Sequence, residues 1–288
     1  METNTQLILN KNRSYTACIA AAYKMFSGNI KLIFRHTWAF AAVLALSVAL
    51  YYICNIGLGY DPTTADFVKA GVSALILILA DIAFSARVMM LFDKQPMRWN
   101  VIRCLKLTLF EIVLVVLWSV IIVTSVYFLN SIKPFSYERI ALIILAFVVV
   151  AVLLSLPLIY VVMRYFMDTD CKLHKVLFKS YATGIRHWGL IFTTTLLAFL
   201  IVAALTAIVS LPTIIVIIAD ALSVYGVKML GDFPGLPSWF GVLRFSAFAL
   251  TTFACLYINI FLINVFYFVY GSIEVKDAEK DKFLNQKL

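Results

Sequence analysis

About 20 predominantly apolar residues, at ~1.5 Å of rise each, are enough to carry a helix across ~30 Å of hydrocarbon. This chain contains six such runs, near 37–57, 67–92, 105–129, 138–164, 188–211 and 243–271. Backbone amides in lipid have no water to bond to, so each run must satisfy its own N–H and C=O groups by forming a helix. The runs are too long and too continuous for the alternating strands of a membrane barrel. Composition agrees. The chain is 63% hydrophobic and 14% charged, with mean hydropathy +0.97, whereas a soluble domain is about half apolar and a quarter charged. The expected fold is all-α: one membrane domain over residues 1–288, an integral bundle of six transmembrane helices with cytoplasmic interfacial amphipathic helices.

Orientation follows from the basic residues, which concentrate on the cytoplasmic side of membrane proteins. Lys11, Arg13, Lys24, Lys31 and Arg35 precede the first span; Arg87, Lys94, Arg98, Arg103 and Lys106 surround the second connection. Arg164, Lys172, Lys175, Lys179 and Arg186 surround the fourth, and Lys276, Lys280, Lys282 and Lys287 follow the last span. Of the 24 Lys and Arg, only Lys69, Lys133, Arg139, Lys228 and Arg244 fall on the other side. With six spans, the basic side carries both termini, which are expected in the cytoplasm. The net charge of +9 then belongs to a face that meets anionic lipid headgroups, each Lys or Arg contributing about 1 kcal/mol. Membrane lipids are the expected partners. A nucleic-acid role would need a soluble basic surface, which no segment supplies. Protein partners are unassigned, and a homo-oligomer is left open.

The polar start METNTQLILNKNRSYT has no apolar core ahead of a small-residue cleavage site, so no cleavable signal peptide is expected. Residues 212–242 are the ambiguous stretch. Pro212 should break the fifth span, and TIIVIIADALSV beyond it is apolar enough for a buried or re-entrant helix, with an external interfacial helix or a bent continuation the preferred reading. A seventh span would move the C-terminal lysines outside, against the charge bias.

A second pattern precedes the first span. Tyr15, Cys18, Ile19, Ala22, Tyr23 and Phe26 recur at helical spacing, and Ser27-Gly28-Asn29 reads as a stop and a fresh start. An amphipathic helix over about 14–26, lying in the headgroup layer, is expected; its apolar face would serve equally for packing on the bundle. A second interfacial helix is expected over about 171–182. AYKMFSGNIKLIF at 22–34 aligns without gaps on SYATGIRHWGLIF at 180–192, matching Tyr23 to Tyr181 and Leu32-Ile33-Phe34 to Leu190-Ile191-Phe192. Each stretch feeds an outward-going span, as in a repeated unit of cytoplasmic approach plus helical hairpin. Repeated hairpins are common in transporters, though not confined to them.

The run PLIYVVMRYFMDTDCKLHKVLFKSYATGIRHWGLIFTTTL, Pro157 to Leu196, carries a family pattern: Pro157 in the inward-going span, Arg164 at its exit, an amphipathic Lys175–Tyr181 helix, and a short turn at Gly184. It resembles the multi-pass membrane domain that precedes some bacterial glycerophosphodiester phosphodiesterases, and stand-alone six-helix relatives of unassigned role. The resemblance implies a fold and a bacterial inner (cytoplasmic) membrane. It does not imply the phosphodiesterase activity.

Charges inside a span cost several kcal/mol unless paired or hydrated, so each is a functional candidate. Asp81 lies about 14 residues into its span, roughly 21 Å from the external end and close to mid-membrane. It reads either as an ion or proton site or as a hydrogen-bonding residue that holds helices together. Arg87 and Glu111 lie at matching depth on successive spans, where a salt bridge is the simpler reading; Arg87 could also snorkel to headgroups. Asn259 is level with Asp81 and would reach it if the second and sixth spans were neighbours. Asn264 lies five residues on, off that stripe.

His36, His174 and His187 are separated, without HExxH or a carboxylate at ligand spacing, and the five cysteines are scattered without a CxxC pair. No cofactor, metal or catalytic residue is therefore assigned. No phosphate-binding loop, nucleophile elbow or dinucleotide fingerprint occurs. The leading reading is a non-catalytic membrane scaffold or lipid-interacting envelope component. The alternative is a transporter or channel for a small solute, ion or lipid using Asp81. A membrane enzyme has the least support.

Overall fold

The structure is a computed structural model that describes residues 9, 11–56, 63–93, 95–132, 137–168, 173–231 and 235–285. Its regular elements are α1 (Tyr15–Ile56), α2 (Thr64–Met89), α3 (Met97–Ile132), α4 (Tyr137–Ser155), α5 (Leu158–Met167), α6 (Leu173–Arg186), α7 (Trp188–Tyr225) and α8 (Phe240–Asn285), with a π-helical turn at Gly226–Leu230. Among the described residues there is no strand. Among the described residues, six stretches are long and apolar enough to cross a membrane: Tyr15–Asn55, Thr64–Met89, Met97–Phe128, Ala141–Met167, Trp188–Leu230 and Phe240–Lys282. The chain is an all-α membrane protein.

Local chemistry explains where the helices start and where they refuse to stop. Thr63 and Asp66 form a reciprocal capping box at the start of α2, in which the Thr63 amide donates to Asp66 Oδ2 at 3.1 Å and the Asp66 amide to Thr63 Oγ1 at 3.4 Å. The break expected at Ser27-Gly28-Asn29 does not occur. Ser27 Oγ donates to the Tyr23 carbonyl and Asn29 Nδ2 to the Met25 carbonyl, both at 2.8 Å. The polar side chains thus bond back into the helix, and α1 runs unbroken from the approach segment into the span.

Pro212 does not end its helix either. It lies inside α7, which continues to the π turn and ends at Gly231, φ 72°, whose amide donates to the Gly226 carbonyl. The stretch after Pro212 is thus a continuation of the fifth span. Proline is tolerated inside membrane helices because neighbouring groups re-satisfy the freed backbone. Next to it, Thr213 Oγ1 lies 3.0 Å from the Ala247 carbonyl and 2.6 Å from Thr251 Oγ1 of α8. Pro157, by contrast, separates α4 from α5.

The chain divides into two compact units. One comprises residues 1–19, 98–195 and 266–288; the other comprises 20–97 and 196–265. The core of the second unit joins α1, α2 and α8 through Ile33, Ala41, Leu44, Ala80, Phe84, Val88 and Ile260. Ala41 and Ala80 are small enough to let helix backbones approach, which is how helices gain van der Waals contact in lipid. Phe34 stacks on Tyr257 with ring centroids 5.5 Å apart, and Arg244 pairs with Asp220 at 2.8 Å.

In the first unit, α5 is strongly two-faced: Tyr160, Val161, Met163 and Tyr165 are buried. The Arg103 guanidinium donates to the Tyr165 carbonyl, which ties α3 to α5.

Candidate functional site

The first unit contains an apolar groove of about 880 Å3 between α3, α4, α5 and α6, with Phe266 of α8 also in its wall. That is within the range of ~300–1,000 Å3 that holds small ligands. From α3 come Glu111, Leu114, Val115, Trp118 and Ile122; from α4, Val148, Ala151 and Val152; from α5, Leu158, Ile159, Val162 and Met163; from α6, Leu177, Phe178 and Tyr181. The α3 residues recur every three or four positions and so form one stripe. From Phe110 to Ile122 that stripe is ~18 Å long at 1.5 Å per residue, a little over half the hydrocarbon thickness.

The hydroxyls along the groove do not make it polar. Ser119 donates to Val115 and Ser155 to Val152 in their own helices, each at 2.8 Å. Several lining residues are well exposed, among them Val115 and Val152, so the groove is open along its side.

Helix α6 closes one end, and its docking follows from two residues. Val176, Ser180 and Gly184, spaced four apart, are its buried stripe. A β-carbon on Gly184 would come within 2.7 Å of the Pro157 carbonyl oxygen and 2.9 Å of Pro157 Cβ. Only glycine lets α6 pack this closely on the α4–α5 break. Gly184 is therefore a helical packing residue, not the turn expected there; the turn falls at His187. The Tyr181 hydroxyl donates to the Leu154 carbonyl at 2.9 Å, a backbone acceptor beside the Pro157 interruption. The opposite face of α6 exposes Phe178 (82%) and Ile185 (54%) next to the exposed Lys179 and Arg186. Apolar side chains among cations, projecting from a helix of a membrane protein, are the pattern of an interfacial helix.

A polar cluster holds the end of α8 in the same unit. The Tyr160 hydroxyl donates to Glu274 Oε1 at 2.6 Å, and Arg164 donates to the Tyr160 oxygen at 3.4 Å. His187 Nε2 lies 2.8 Å from Asp277 Oδ1. Cys18 Sγ lies 3.5 Å from Ser272 Oγ, and the Arg13 guanidinium sits 5.0 Å from the centroid of the Phe268 ring. Partial burial lowers the proton affinity of Arg13. These contacts tie α1, α5 and the start of α7 to α8. Among the described residues no three His, Cys, Asp or Glu side chains gather as metal ligands would.

The residues singled out in the sequence scatter. Glu111 lines the groove. Arg87 donates from Nε to the His36 carbonyl at 2.8 Å, its NH2 lies 3.3 Å from His36 Nδ1, and its guanidinium approaches the Phe40 ring; these contacts bind α2 to α1. Asp81 is exposed on α2 and makes no hydrogen bond or ion pair among the described residues. Asn259 is also exposed, and its amide bonds back to the Cys255 carbonyl at 3.0 Å, so no Asp81–Asn259 hydrogen bond forms. Asn264 is buried, and its Nδ2 has no hydrogen-bond partner among the described residues. The side chain of His174 and residue Cys171 lie outside what the structure describes.

The groove and the Tyr160–Glu274 bond were not anticipated. The signals were Pro157, Tyr181 and Gly184, which stand in the sequence but reveal their contacts only when α6 folds back. The chain matches no family model, no curated protein and no solved structure.

Proposed function

We propose that this chain is a multi-pass protein of a bacterial inner membrane, with both termini cytoplasmic, that acts without catalysis by holding a membrane phospholipid. The groove is the observation that carries this reading. In a chain that crosses a membrane, an open apolar groove is filled by acyl chains, because neither water nor a void is stable there. The cations supply a preference for the headgroup. Lys106 lies one helical turn before Phe110 and Lys179 is next to Phe178, and both are exposed. That end of the groove is on the basic side of the membrane, where a lipid phosphate belongs. The bacterial inner membrane rests on the family resemblance, and the orientation on the asymmetry of Lys and Arg.

The test is native mass spectrometry of the purified protein released from detergent. The wild type should retain a phospholipid adduct. Ala151→Trp, which fills the groove from α4, should lose it, and Leu145→Trp, at an exposed position on the same helix, should not. Equal lipid retention by wild type and Ala151→Trp would remove the groove from the account. The transporter reading would need Asp81 in a water-lined cavity; the groove is lined by other residues.

A further inference from the structure

Asp81 has an arrangement that neither the groove nor the fold explains. It is exposed near the middle of an apolar span and has no partner among the described residues. A carboxyl facing hydrocarbon is destabilising unless another polar group meets it. The face of the helix that carries it is left uncovered. Phe67, Gly71, Ala74, Ile78, Asp81 and Ser85 follow one another at intervals of four, three, four, three and four residues, and each is exposed or half-buried, none buried. Alternating three- and four-residue spacing is the seam of a left-handed helix pair. Nothing lies within 4 Å of where a Gly71 β-carbon would be, so the seam is open there, and small residues such as Gly71, Ala74 and Ser85 let a second backbone approach.

We propose that the chain self-associates through α2, two copies packing in parallel along this seam so that their Asp81 side chains hydrogen-bond to each other. The occupant follows from symmetry and chemistry. Two copies with one orientation in the membrane are related by a two-fold axis along its normal, which brings identical residues together at identical depth. A carboxyl that carries its proton has one donor and a free acceptor oxygen, so two of them sharing a site are complementary to each other. A different partner would have to bring its own polar group to that depth. This inference does not depend on lipid occupying the groove.

Cysteine-scanning crosslinking in lipid bilayers tests it. In a background with the five native cysteines replaced, single cysteines at Ala74, Ile78 and Ser85 should form intermolecular disulfides, while Leu75 and Leu79 should not. In parallel, dimerisation measured by energy transfer between labelled copies should fall about tenfold for Asp81→Leu, the scale of lost interhelical hydrogen bonds. Asp81→Asn, which still donates and accepts, should retain it. Crosslinks that peak at Leu75 and Leu79, a chain monomeric at all protein-to-lipid ratios, or a dimer indifferent to Asp81→Leu would each overturn the proposal. Correct folding of each variant is checked by its helical circular dichroism and by a single, aggregate-free elution peak in detergent.

Discussion

Single atoms decide the architecture at a few positions. Gly184 is the clearest, because its missing β-carbon is what lets α6 lie against Pro157. Gly184→Ala forces that atom against backbone, which cannot swing away as a flexible side chain could. The expected cost is about 1–3 kcal/mol, the usual scale for overpacking, read as a lower midpoint in denaturant titration of the detergent-solubilised protein. Gly189→Ala, where nothing lies within 4 Å, should stay within ~0.5 kcal/mol of wild type. Both glycines stand in the repeat unit around 180–192 and look alike in sequence. What separates them is a contact 27 residues away in the chain, which periodicity cannot reveal. Asp81 makes the same point. Its depth could be counted along the span, but which way its side chain faces depends on how α2 meets α1 and α8.

The elements were the most legible level. Six apolar runs of spanning length are visible without a structure, and six candidate spans are found. Boundaries within them were less legible, and the failures share a cause. Ser27-Gly28-Asn29 and Pro212 are stop signals in water, where a frayed carbonyl finds a solvent partner. In lipid the carbonyl finds none, so the helix continues through Pro212, while Ser27 and Asn29 turn their side chains back onto carbonyls of their own helix and so do not compete with it. Pro157 interrupts where Pro212 does not, and there the Tyr181 hydroxyl reaches the nearby Leu154 carbonyl.

Helix α6, expected as interfacial from its basic and apolar faces, has the exposed Phe178 and Ile185 that such a role needs. A nitroxide on Phe178→Cys should show power-saturation accessibility at headgroup depth in liposomes, with oxygen favoured over a water-soluble relaxant. Arg186→Cys should favour the water-soluble reagent. Equal access of both reagents to both sites would take α6 off the membrane surface.

For the molecule as a whole, the two units divide the properties between them. Residues 98–195 supply the groove, its amphipathic end-helix and the flanking lysines; residues 20–97 supply the unpaired Asp81 seam. The polar network of Tyr160, Arg164, Glu274, His187 and Asp277 accounts for charges that would otherwise suggest chemistry. Its hydrogen bonds link helices. A groove was beyond the reach of sequence reading because it is defined by helices distant in the chain that meet only after α6 folds back over the α4–α5 break. Lipid holding is therefore the claim that rests most on the structure.

It is tested most directly by reconstituting the wild-type protein with a phospholipid that carries a photoactivatable diazirine on its acyl chain, then mapping adducts by peptide mass spectrometry. Adducts should concentrate at Leu114, Trp118, Val152 and Ile159, several-fold above Leu222 and Leu250, which are exposed but lie outside the groove. Labelling spread evenly over all six positions would mean that the groove meets only bulk lipid, and would contradict the account.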